Sequence, residues 1–95
     1  MSIAKDTATG VAPIFVHSET GENLIVVVAG ANNKLTPADV NKAKDMITNA
    51  KVVMCQNEIR MESTITALKI ASKSPTISVY NPAPAPEDGV LPAEA

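Results

Sequence analysis

Lys51-Val52-Val53-Met54-Cys55-Gln56-Asn57-Glu58 is an apolar run that stops at a polar triplet. Val52 to Cys55 is continuously apolar, the pattern of a parallel strand buried on both faces. From Met61 the spacing becomes helical, with Met61, Ile65, Leu68 and Ala71 on one stripe. Ser72 to Pro75 breaks that stripe, and Thr76-Ile77-Ser78-Val79-Tyr80 reads as a second strand. Strand, helix and strand in this order predict a parallel pair joined by a right-handed crossover, and therefore an α/β fold. Glu58 then stands just past the carboxyl end of a strand, where open α/β sheets bind ligands.

Upstream, Leu35-Thr36-Pro37-Ala38-Asp39-Val40 is a helix start. Thr36 suits the cap, Pro37 the first turn, and Asp39 completes a capping box at the positive end of the helix dipole. Leu35 and Val40 have the spacing of a hydrophobic staple. Val40, Ala43, Ile47 and Ala50 share one face, predicting one helix that ends near Asn49. Ala29-Gly30-Ala31-Asn32-Asn33 is a linker of small residues.

Further upstream, two apolar runs flank a polar turn, His17-Ser18-Glu19-Thr20-Gly21-Glu22-Asn23, and predict a β-hairpin. Pro13 lies inside the first run, Val11 to Val16. It cannot donate to a ladder, so that strand should be an edge or bulged strand. The second, Leu24 to Val28, is apolar on both faces, and a lone hairpin is marginal in water. It needs a covering partner. Residues 1–32 thus read as hairpin and linker, 33–85 as a partial α/β core, and 86–95, after a proline series, as a disordered tail.

Ninety-five residues make one small domain. Phe15 and Tyr80 are its only aromatics, so the core relies on Val, Ile, Leu, Met and Ala. Ten acidic and eight basic residues give a net charge of −2, with no basic stripe to suggest nucleic-acid binding. The longest apolar run falls far short of a membrane span, and the N-terminus lacks a secretory layout. One cysteine, Cys55, inside an apolar strand reads as a structural thiol in a reducing compartment. These features point to a cytoplasmic setting.

Chemistry-bearing residues are few. The four glycines are too scattered for a phosphate loop. His17, in a turn without Cys or His companions, reads as a surface residue rather than a metal ligand. Glu19 and Glu22 are solvated turn charges. Glu58 can accept two sugar hydroxyls in charge-assisted hydrogen bonds, or can simply be an acid favoured at a helix start. Position alone leaves both open.

Several segments, in order, resemble the ribokinase family of carbohydrate kinases. They are Thr9-Gly10-Val11-Ala12-Pro13-Ile14-Phe15-Val16, Gly21-Glu22-Asn23-Leu24-Ile25, Ala29-Gly30-Ala31-Asn32, Gln56-Asn57-Glu58, Ala67-Leu68 and Asn81-Pro82-Ala83-Pro84-Ala85. The resemblance covers roughly Lys5 to Ala85. It implies a partial ribokinase-like fold: a β-hairpin lid followed by helix–strand–helix–strand of a parallel sheet. It also implies that Glu58 binds ribose hydroxyls while Ala12 and Ile25 close over the sugar from the lid. Asn81 would lie near the nucleotide side, with no contact assigned. For the parent enzyme it implies ATP, Mg2+ and a monovalent cation such as K+, D-ribose as substrate, and a homodimer formed by clasped lids.

The family's glycine–lysine–asparagine sugar motif, its asparagine–glutamate motif and its glycine–alanine–glycine–aspartate catalytic motif are absent from this sequence. The chain resembles the middle third of such an enzyme, expected to be silent alone and to bind no cofactor by itself. Alternative expectations are a dimerisation or regulatory module acting through the hairpin, another sugar kinase of the same family, or a truncated product without an independent role.

Overall fold

The computed structural model describes residues 3–86, 89–93 and 95. Of the expected tail, residues 87, 88 and 94 lie outside the described residues, as do residues 1 and 2 at the other end.

The chain opens with a hairpin of β1 (Ile14–Val16) and β2 (Asn23–Ile25), antiparallel with Ile14 opposite Ile25. Its turn closes through Gly21, whose φ of +74° suits glycine, and through the His17 N–H donating to Glu22 O at 2.8 Å. His17 has a local role: its Nδ1 accepts from the Glu19 and Thr20 amides at 3.4 and 3.3 Å. Beyond β1 the pairing skips and resumes as a Val11–Val28 bridge, with 2.9 Å hydrogen bonds in both directions. Pro13 stands in the gap and only accepts, from the Val26 amide at 3.1 Å. The interruption expected of Pro13 is therefore present.

A 3-10 turn at Gly30–Lys34 leads to α1 (Pro37–Lys42) and α2 (Lys44–Thr48). The Thr36 side chain accepts from the Asp39 amide, and the Asp39 carboxylate accepts from the Thr36 N–H, completing the capping box. The Thr36 hydroxyl also donates to Asp39 at 2.7 Å, and Lys42 lies 3.2 Å away on the other carboxylate oxygen. Those two partners, Thr36 first, hold the Asp39 carboxyl below its ordinary range. The single helix expected from Thr36 to Asn49 is broken at Ala43 (φ −93°, ψ 10°), whose amide reaches back only three residues, to Val40 O. Nearby, the Asn41 side-chain amide donates to Pro37 O at 2.9 Å, giving that carbonyl a partner outside the ladder.

Next come β3 (Val52–Gln56), α3 (Met61–Ala71) and β4 (Ile77–Asn81). β3 and β4 pair in parallel, from Val52 opposite Ile77 to Gln56 opposite Asn81. This α/β unit follows the strand–helix–strand pattern of the sequence. α3 packs against α1 and α2 and also against β3 and β4. Among the described residues Val40, Leu68, Ile70 and Ala71 are the buried apolar ones. The buried face of α3 includes Ser63 and Thr64, whereas Met61 and Ile65 of the expected stripe are only half-buried. An element packed on two sides buries a wider face than one periodic stripe. Two polar ties cross this core: Ser63 Oγ donates to Leu35 O at 2.8 Å, and the Thr76 hydroxyl to Ala50 O at 2.9 Å.

The expectation of a buried β3 needs correction. Val52 is 48% and Met54 76% exposed, while Val53 and Cys55 are half-covered. α3 covers one face of the two-stranded sheet and nothing described covers the other. Partial burial still pushes the Cys55 thiol pKa up. No described helix is long and apolar enough to cross a membrane.

Outside this small core exposure is high. The surface is 7219 Å² for a 9.9 kDa chain, against about 5,200 Å² for a compact monomer of that mass. The radius of gyration is 15.6 Å, where about 12 Å is usual for this length. The chain is extended, 48 Å along its longest axis.

Candidate functional site

The hairpin and the α/β unit meet at a cleft of about 560 Å³, within the range of small-molecule sites. Ala12, Ile14, Ile25 and Val27 form its apolar hairpin wall. Asn57, Glu58 and Ile59, in the bend between β3 and α3, form the opposite wall with Pro84. Asn32 and Asn33 of the 3-10 turn complete it. The three residues singled out by the resemblance, Glu58, Ala12 and Ile25, therefore line one cleft. Glu58 and Ala12 also share a smaller adjoining pocket of about 130 Å³.

Close backbone approaches hold the base of the hairpin beside this cleft. Gly30 has a φ of +52°, and a Cβ there would lie 2.5 Å from Ala8 O. The neighbouring Ala31 amide donates to that same carbonyl at 2.9 Å. A Cβ on Gly10 would lie 2.8 Å from Ala29 O and 3.3 Å from the Asn32 side-chain amide. Both glycines let two backbone segments touch where a side chain would part them.

Glu58 is exposed, at the mouth between an apolar wall and three asparagines. This combination gives a carboxylate that accepts hydroxyl donors, amides that both donate and accept, and an aliphatic surface for a C–H face. It suits a small polyol. Asn81 ends β4 opposite Gln56 and is not part of either cleft lining. Among the described residues no three His, Cys, Asp or Glu side chains gather to hold a metal ion.

Sequence reasoning missed Asn32, Asn33, Asn57 and Pro84. Asn57 had a faint signal, being polar and next to Glu58. The other three become cleft residues only when the hairpin folds over the strand ends.

No protein-family model matches the chain. Among curated proteins it is similar to a ribokinase of Mus musculus, 46% identical over 84 residues, which is 88% of this chain and 26% of that protein. It is also similar to a ribokinase of Staphylococcus aureus, 45% identical over 80 residues, 84% of this chain and again 26% of the relative. The solved structure of ribokinase from Giardia lamblia superposes with a TM-score of 0.72 at 32% identity, over 90% of this chain and 29% of that one. The chain thus spans about a quarter of the length of the curated relatives it matches. Identity at this level, carried by a matching fold, places the chain in the ribokinase family of carbohydrate kinases.

Proposed function

We propose that this chain supplies the lid and one wall of the sugar site of a kinase that phosphorylates D-ribose on its 5-hydroxyl at the expense of ATP. The supporting observation is the cleft itself, which gathers Ala12 and Ile25 of the hairpin with Glu58 at the end of β3. Glu58 accepts two neighbouring ribose hydroxyls, each bond strengthened by the carboxylate charge. Ala12 and Ile25 cover the sugar and exclude water. The two relatives named above are ribokinases, which supports a pentose substrate and ATP for the parent enzyme. Magnesium and a monovalent cation would complete that enzyme. Phosphoryl transfer depends on positioning and charge stabilisation, so the chain alone is a binding element without turnover. The setting of such an enzyme is the cytoplasm.

The test is an NMR titration of the 95-residue chain with ribose. Ribose should shift the Ala12, Ile25 and Glu58 amides, and Glu58→Gln should weaken binding about ten- to a hundredfold, the loss of a charge-assisted pair. Equal affinity in the variant would remove Glu58 from the site. In a coupled assay with ATP, ribose-dependent turnover by the pure chain would overturn the claim that it is silent alone.

A second reading rests on the hairpin surface. Val11, Ile14, Phe15, Val16, Leu24 and Val27 are each 59–70% exposed. Such a patch fits a homodimer, or a regulatory contact with another subunit, through paired hairpins. Light scattering should report a dimer; a folded monomer at tens of micromolar would exclude it.

A further inference from the structure

We propose that Asn57 is a positioning residue for the sugar site, latching the segment after β4 onto the end of β3 so that Glu58 is held at the cleft mouth. This deepens the reading of Glu58 given above and rests on it.

The parallel register ends at Gln56 opposite Asn81. One residue further the ladder cannot continue normally, because Pro82 and Pro84 have no N–H to donate. Asn57 supplies both donors. Its backbone N–H donates to Ala83 O at 3.0 Å, and its side-chain Nδ2 donates to Pro84 O at 2.7 Å. A carbonyl can only accept, so the acceptor itself settles which end of the side-chain amide faces Pro84. The Ala83 amide donates to Asn81 O at 2.8 Å, tightening the segment that Asn57 grips.

This latch spans 27 residues and is built into the cleft wall. Asn57, Glu58 and Pro84 line the same cavity. Glu58, covalently next to Asn57, has no hydrogen bond of its own among those found between described residues. The position of its carboxylate relative to the hairpin wall therefore depends on the neighbour that is anchored. A displaced carboxylate meets one hydroxyl of a pentose instead of two.

That consequence separates positioning from bulk stability. On a ribofuranose ring, every pair of neighbouring hydroxyls includes the 2-hydroxyl. 2-Deoxyribose already lacks one member of the pair, so it gains little from a well-placed Glu58. Loss of the latch should therefore weaken ribose more than 2-deoxyribose, whereas general loosening would weaken both alike.

The experiment titrates the labelled 95-residue chain with ribose and with 2-deoxyribose, in wild type, Asn57→Asp, Asn57→Ala and Glu58→Gln. Asn57→Asp keeps the shape but sets a carboxylate against the Pro84 carbonyl; Asn57→Ala simply deletes the donor. Both should lower ribose affinity about five- to tenfold and shrink the ribose preference, with α3 amide shifts unchanged. In the wild type a through-hydrogen-bond coupling should link Asn57 Nδ2 to the Pro84 carbonyl, a readout independent of how any variant folds. Absence of that coupling overturns the proposal. So does an unchanged ribose preference in the Asn57 variants when Glu58→Gln abolishes it, a result that spares the sugar site. If Glu58→Gln also leaves the preference intact, the sugar site falls and the positioning role falls with it.

Discussion

Replacing threonine by valine at two buried positions of this chain should shift stability in opposite directions. The substitution keeps shape and volume and exchanges only a hydroxyl for a methyl. Thr64 is fully buried, and its Oγ1 has no hydrogen-bond partner among the described residues. Folding strips that hydroxyl of water and returns nothing, at a cost of roughly 1–3 kcal/mol. Thr64→Val should recover part of it, stabilising the chain by about 1 kcal/mol, since the two residues have similar helix propensity. Thr76 is 8% exposed and occupied on both sides. It accepts from Ser74 Oγ at 2.8 Å and donates its single proton toward Ala50 O at 2.9 Å, with Ile47 O and Thr48 O at 3.2 and 3.4 Å. These carbonyls lie at or just past the end of α2, where the helix offers few partners of its own. Thr76→Val leaves the Ala50 carbonyl unpaired, while Ser74 can still turn to Ala71 O at 2.9 Å. The expected loss is about 1–2 kcal/mol. Urea melts followed by circular dichroism should separate the two variants in midpoint, and their melting temperatures should diverge by about 4–8 °C per kcal/mol for a chain of this size. Thr64→Val destabilising the protein as much as Thr76→Val does would refute the reasoning, because the Thr64 hydroxyl would then have a partner.

Two further outcomes follow from the local geometry. Gly30→Ala combines a positive φ with a Cβ driven against Ala8 O, so it should cost more than about 1 kcal/mol and speed hydrogen exchange at the Ala31 amide; a wild-type urea midpoint would contradict this. Asp39 has a folded pKa below its unfolded one, so its contribution is complete above the ordinary carboxylate range and is lost as pH falls through the folded value. Helicity should accordingly decline in acid, and Asp39→Asn should flatten that decline.

Features written within a few residues were legible in the sequence. The Thr36–Asp39 capping box, the turn at Gly21 and the break in pairing at Pro13 each depend on neighbours close in the chain. The parallel pair was readable too, because Val52 to Cys55 and Ile77 to Tyr80 carry strand patterns around a helical one. Burial was not. A continuous apolar run reports how a strand can be covered, and here, among the described residues, only the α3 face of β3 has a cover. The break at Ala43 escaped notice because alanine continues a helical stripe as well as any residue. In the cleft, the position of Glu58 after a strand was visible from spacing, but Ala12 and Ile25 came only from the family resemblance. Asn57 binding Pro84 joins residues 27 apart, and nothing in a period or a motif couples them.

The open surface has a thermodynamic consequence. An unfolded chain of 9.9 kDa exposes about 14,400 Å², so folding to 7219 Å² removes about 7,200 Å², where a compact chain of equal mass would remove about 9,200 Å². Denaturant sensitivity and unfolding heat capacity both scale with that difference. Each should fall roughly a fifth below the value expected from length, giving a shallow urea transition and a flattened dependence of stability on temperature. Covering the bare face of β3–β4 or the hairpin would steepen both, so the slope of the melt measures how much of the molecule's surface has found its partner.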